Sequence, residues 1–163
     1  MSAVLQFLST VGDGTGTING ASDSSTVAVE LKLLPATKTE VRISHLTAFV
    51  EDNAALKGDT FGTAALTNGI RIRVLDANNV TIRDLTACLL VKRLGDFLAL
   101  GASVTTDTAG TNKYGAYRLQ FDAPVILNGN NIYRLAVSLH DDLSNLVLLT
   151  FLAEGTVKGQ LTA

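Results

Sequence analysis

Residues 61–85 read FGTAALTNGIRIRVLDANNVTIRDL, and the alternation in their middle decides the fold class. Ile70, Ile72 and Val74 take turns with Arg71 and Arg73. Successive side chains of an extended chain point to opposite faces, so three aliphatics share one face and two guanidiniums the other, the pattern of a half-buried strand. Asp76, Ala77, Asn78 and Asn79 follow. Asn and Asp accept left-handed backbone and bond to their own chain, so the polypeptide reverses there. Val80, Ile82 and Leu85 then resume, which predicts an antiparallel hairpin with one face in a core and an arginine-bearing face outside it.

The same reading carries outward in both directions. Residues 26–34 alternate Val27, Val29, Leu31 and Leu33 with Glu30 and Lys32, and Pro35 ends that strand. In residues 40–51 Val41 and Ile43 set one phase, after which Leu46, Ala48 and Val50 take the opposite one. A phase change inside one strand is what a bulge does, and His45 sits at the switch. Tyr117, Leu119 and Phe121 form a strand closed by Pro124. Residues 125–127 and 132–139, joined by Asn128 and Gly129, read as a second hairpin. Residues 147–157 are the last strand. Residues 3–9 are β by their Val, Phe and Leu content, an amino-terminal arm or first strand over residues 1–10. Residues 87–100 are ambiguous between helical spacing and strand, and lean to β with an irregular middle. Residues 53–57 hold a candidate helical turn, Asp142 or Ser144 a candidate cap, and residues 12–25 and 105–112 read as polar loops. Eight to ten strands with little helix predict an all-β, two-sheet β-sandwich of jelly-roll type, a single domain over residues 11–163.

Composition narrows the function classes. A chain of 163 residues with 47% hydrophobic and only 17% charged residues can bury a full core, and its low charge fits docking or self-assembly as well as it fits a large core with neutral Thr, Asn and Ser outside. A net charge of -2, without a run of one sign, gives no footprint for nucleic acid. The absence of a long apolar span or of a leader pattern predicts a soluble protein with no membrane partner. Cys88 is the single cysteine, so an intrachain disulfide is excluded, and its ACLLV context reads as a buried small hydrophobe. No cofactor or metal is called for. The Gly12, Gly14, Gly16 spacing lacks the Lys and helix of a phosphate loop, and Asp13 and Asp23 lack calcium-loop spacing. His45 has no nucleophile or carboxylate pattern beside it, and Asp141 and Asp142, adjacent in an extended chain, point apart as a catalytic pair. The expectation is that the protein is not an enzyme.

Three pieces of the chain, ELKLLPATKTEVRISHLTAFVED (residues 30–52), FGTAALTNGIRIRVLD (61–76) with the later LGDF (94–97), and RLAVSLHDDLSNLVLLTFLAEGTV (134–157), resemble in that order small virion structural proteins of tailed bacteriophages. The resemblance implies a jelly-roll capsid decoration or cement protein that bridges subunits of the major capsid protein, a homo-oligomer, expected as a trimer, on the capsid surface of particles assembled in the host cytoplasm. It marks Leu66, Thr67, Asn68, Gly69 and Ile70, together with Asp141, Asp142, Leu143 and Ser144, as structural signatures. In that role Asn68 and Gly69 supply a tight turn, while Asp141 and Asp142 satisfy loop amides or cap a turn. Val4, Leu5, Phe7 and Leu8, with the outward Arg71, Arg73 and Arg83, are the candidate contact residues, although solvated strand faces also account for the arginines. The alternatives are a neck, tail or baseplate adaptor, and a carbohydrate-binding β-sandwich module, which the lack of Trp disfavours.

Overall fold

The computed structural model describes residues 3–10, 29–52, 56–61, 65–107, 113–139, 141, 146 and 148–158. The elements are β1 (Ala3–Thr10), β2 (Val29–Leu33), β3 (Glu40–Asp52), β4 (Ile70–Leu75), β5 (Thr81–Asp84), α1 (Asp96–Ala99), β6 (Ala102–Asp107), β7 (Lys113–Asn128), β8 (Arg134–Leu139) and β9 (Leu148–Lys158). The fold is mostly β, with a core of two antiparallel sheets of four and three strands. These are β9-β3-β7-β6 and β8-β4-β5, and β1 beside β9 and β2 beside β8 widen them to five and four.

β4 shows why the sequence takes this form. Ile70, Ile72 and Val74 are buried while Arg71 is exposed, as period-2 alternation requires. The turn after it is built by Asp76, whose carboxylate accepts from the amides of Asn78 and Val80, each at 2.8 Å, and by Asn79, which adopts a left-handed φ of 64°. β5 then pairs antiparallel with β4, but the register shifts between Val74 and Leu75 and leaves Ile82 without an opposite residue. β5 is also the outermost strand of its sheet. Val80 and Ile82 are therefore exposed rather than part of a buried face, while Leu85 packs half-buried against the core.

The phase change in β3 is a register shift between Ile43 and His45 against both neighbours. Against β9 the extra residue is Ser44, whose hydroxyl donates to the Glu154 carbonyl at 3.3 Å. Against β7 the shift skips from Gln120 to Val125, so Pro124 lies where no ladder amide is needed. β7 accordingly runs on to Asn128 instead of closing at Pro124.

Other expectations give way. Asn128 and Gly129 do not close a hairpin, because β7 and β8 belong to different sheets. The link is an arch with a 3-10 turn at Gly129–Asn131, and the left-handed residue is Ile132 at φ 54°. Glycine stands at 129 because a side chain there would run into the carbonyl of Ala36. Residues 87–100 are mainly turn, with one bridge from Val91 to Ile70 and α1 after Gly95. The Asp96 carboxylate accepts from the amides of Lys92 and Arg93, at 2.8 and 2.9 Å, which curls the segment away from an extended path. Cys88 lies in this surface turn and is exposed, not buried. Residues 105–107 belong to β6, while residues 108–112, like 12–25, 53–55 and 142–145, lie outside the described residues.

The sandwich interior is filled by Ile43, Leu46, Ile72, Leu127, Leu135, Val137 and Phe151, with Phe97 of α1 entering at one end. Its ring lies 6.4 Å from Phe61 and 5.4 Å from Tyr117, centroid to centroid. Each such side chain contributes about 1.5–3 kcal/mol by leaving water. The half-exposed ion pair of Arg118 and Glu154 contributes about 1 kcal/mol at most, so packing decides the stability.

Burial also raises the Tyr117 hydroxyl above its ordinary pKa of 10.0. A fold that favours the neutral phenol keeps its full stability below about pH 10 and loses it as pH climbs through the raised value. The urea midpoint of the wild type should therefore fall more steeply above pH 10 than that of Tyr117→Phe. Coincident alkaline limbs would rule Tyr117 out as the group responsible.

Candidate functional site

Two of the signature segments meet. The loop of Leu66, Thr67, Asn68 and Gly69 precedes β4, and Asp141 follows β8, the neighbouring strand. The Asp141 carboxylate is buried and accepts from three successive amides. Oδ1 receives Thr67 N at 2.8 Å and Asn68 N at 3.0 Å, while Oδ2 receives Asn68 N at 3.1 Å and Gly69 N at 2.7 Å. Three amides aimed at one carboxylate are a strong, charge-assisted set. Gly69 has φ 88°, and a side chain there would also press on Lys92 and the Val91 carbonyl. Leu66 and Ile70 bond back to the same segment, through Lys92 O and Val91 O at 2.8 Å each. The arrangement clamps a loop to the end of β8, and both carboxylate oxygens are occupied in doing so. Asp142, Leu143 and Ser144 lie outside the described residues.

The contact candidates do not form one patch. Val4, Leu5, Phe7 and Leu8 belong to β1, on the five-stranded sheet, whereas Arg71 and Arg73 belong to β4, on the outer face of the four-stranded one. Arg73 lies across that face and donates from Nη2 to the buried Ser138 hydroxyl at 2.7 Å. Arg71 is exposed beside it. Arg83 stands at the open side of the sandwich, on the rim of a cleft of about 230 Å3 floored by Ile72, Leu119 and Phe121, with Asp122 also on its rim.

A different surface stands out on the outer face of the five-stranded sheet. Phe49 and Glu51 of β3 pair across with Ala116 and Tyr114 of β7, and Glu51 pairs with Leu148 of β9. These residues line a hollow of about 200 Å3. A second hollow, of about 270 Å3, lies on the other side of Phe49 and Ala116, against Thr47, Ser103 and Arg118. Phe49, well inside β3, is 38% exposed and Tyr114, at the start of β7, 46%, large values for aromatic residues on strands. The charge beside the second hollow is tied within the face: Glu154 accepts from Arg118 at 3.1 Å and from Thr47 at 3.3 Å. The first hollow is largely apolar with Glu51 at its side, while the second is of mixed character. The strand phase held a signal for this surface, since after the switch at His45 the outward positions are 47, 49 and 51.

His45 Nδ1 lies 2.8 Å from the Ser44 hydroxyl, its neighbour in the bulge. Among the described residues no three of His, Cys, Asp or Glu gather as a metal site. No helix of the described residues is long and apolar enough to cross a membrane. Compared with known protein families, with curated proteins and with solved structures, the chain matches none.

Proposed function

We propose that this chain is a non-enzymatic structural protein of a tailed-phage virion, a jelly-roll module that decorates the capsid and bridges subunits of the major capsid protein. The observation that carries the reading is the nesting of the strand pairs: β1 with β9, β2 with β8, β3 with β7, and β4 with β5. Such nesting is what results when one long antiparallel hairpin is rolled into two sheets, and the jelly roll built that way is common among viral capsid modules. The largely apolar hollow between Phe49 and Tyr114 supports a docking role, because exposed aromatics are what interface centres use. Contacts of standard size, about 1,600 Å2 in total, are enough to hold such a module on neighbouring capsid subunits.

The test is the copy number of this chain against the major capsid protein in purified particles, by quantitative mass spectrometry. A ratio near one is expected. A few copies per particle would move the protein to the neck, tail or baseplate, and absence from particles would end the virion reading. Within that reading Phe49→Asp should weaken binding to undecorated particles by roughly thirtyfold, about 2 kcal/mol, in a variant that thermal unfolding shows to be still folded. Wild-type affinity in this variant would remove the hollow as the contact.

A further inference from the structure

The two sheets have four outer strands, β1 and β6 in one, β2 and β5 in the other. An outer strand presents unpaired backbone donors and acceptors along one side, and proteins blunt such edges with brevity, charge or bulges. β5 has all three: four residues, a register shift, and Arg83 and Asp84. β2 has five residues and includes Glu30 and Lys32. β6 has six and ends on Asp107. β1 has none of these devices. Its eight residues, AVLQFLST, hold no charge, proline or glycine, and they pair with β9 in unbroken register from Ala3 opposite Thr156 to Thr10 opposite Leu149. Among the described residues no strand occupies its other side.

From this we infer that the free edge of β1 pairs with β1 of a second copy, antiparallel across a two-fold axis, joining two five-stranded sheets into one. The choice of occupant follows from chemistry and geometry. The edge is uncharged, so it suits an uncharged strand of about the same length, and this chain carries one. A two-fold axis normal to the sheet keeps both outer faces on the same side only if the paired residue numbers sum to an even number. The pairing centred on Gln6 meets that condition and sets position 5 opposite 7 and position 4 opposite 8. Leu thus stands across from Phe, and Val across from Leu, with no like charges opposed. A net charge of only -2 per chain leaves little long-range repulsion between copies. The contact is isologous and makes a dimer, which differs from the trimer implied by resemblance. It rests on the sheet edge and not on the virion reading.

The test uses the purified full chain and light scattering coupled to size exclusion. The expected mass is twice 17.1 kDa, with the amides of β1 protected from hydrogen exchange in the dimer. Gln6→Lys places two ammonium groups opposite each other at the axis and should give monomer. Phe7→Lys, which opposes Leu5, should do the same, and thermal unfolding of both variants verifies that they fold. A wild-type monomer or trimer would overturn the inference. So would a dimer that persists in a folded variant. Should Gln6→Lys fail to fold, Phe7→Lys decides, and should both fail, exchange at β1 that does not slow with rising wild-type concentration overturns it. Particle copy number is read separately, so failure here leaves the virion proposal standing and the reverse also holds.

Discussion

Asp141→Ala should lower the unfolding free energy by about 4 kcal/mol, or about 10 °C in melting temperature. The reason is the number of donors left behind. Thr67, Asn68 and Gly69 all aim their amides at this carboxylate, and the Gly69 bond is fully buried. An unsatisfied buried donor costs about 1–3 kcal/mol, and the partly exposed Thr67 and Asn68 recover some of theirs from water. Asp141→Asn keeps the shape but offers one acceptor oxygen and turns an amide donor on the loop. It should fall between the two, losing about 2 kcal/mol. Urea unfolding of the three proteins measures this directly. An alanine variant within about 1 kcal/mol of wild type would mean that the loop finds other acceptors, and that the clamp is not what holds it.

The second large effect is at Gly155. It lies opposite Ile43, beside the β3 bulge, and a methyl group added there would overlap the carbonyl oxygen of Arg42. It would also sit 2.8 Å from the carbonyl carbon of Arg42 and from Cα of Ile43. These atoms are backbone of the paired strand and cannot swing aside as a side chain would. Gly155→Ala should therefore cost about 3 kcal/mol, toward the top of what overpacking usually costs, and Gly155→Val more. The bulge is the point where β3 reverses which residues face the core, so the damage should spread along the β3–β9 ladder. Hydrogen exchange ought to accelerate at Arg42 and Ile43 in the alanine variant. A melting point within a few degrees of wild type would show that the bulge can open without loss.

Both effects bear on what the sequence could reveal. The alternation in β4, the turn built by Asp76 and the phase change in β3 were legible because they depend on residues near each other in the chain. The Asp141 clamp joins positions about seventy residues apart, as the loop at Thr67 and the end of β8. Periodicity carries no trace of such a bond, and only the resemblance set the two segments side by side. Asn128 and Gly129 misled for a related reason. The dipeptide suits a two-residue hairpin, but whether the next strand pairs in the same sheet is settled by the opposing layer. Val80 and Ile82 look apolar enough for a core and yet lie just before and on an outer strand, and both are exposed. The hollow at Phe49 needed the strand phase to be carried one step further, from which residues point in to which point out.

The nesting of the strands also governs when the chain can become a folded protein. β3, the central strand of the larger sheet, has its partners in β7 and β9, and β1 has its partner in β9. During synthesis the first strands emerge long before the residues that complete their hydrogen bonds. High contact order of this kind makes folding slow, and unpaired apolar strands meanwhile invite association. The larger sheet is therefore complete only once β9 has cleared the ribosome, and a chain truncated before β9 would leave β1 without its partner and β3 with only β7.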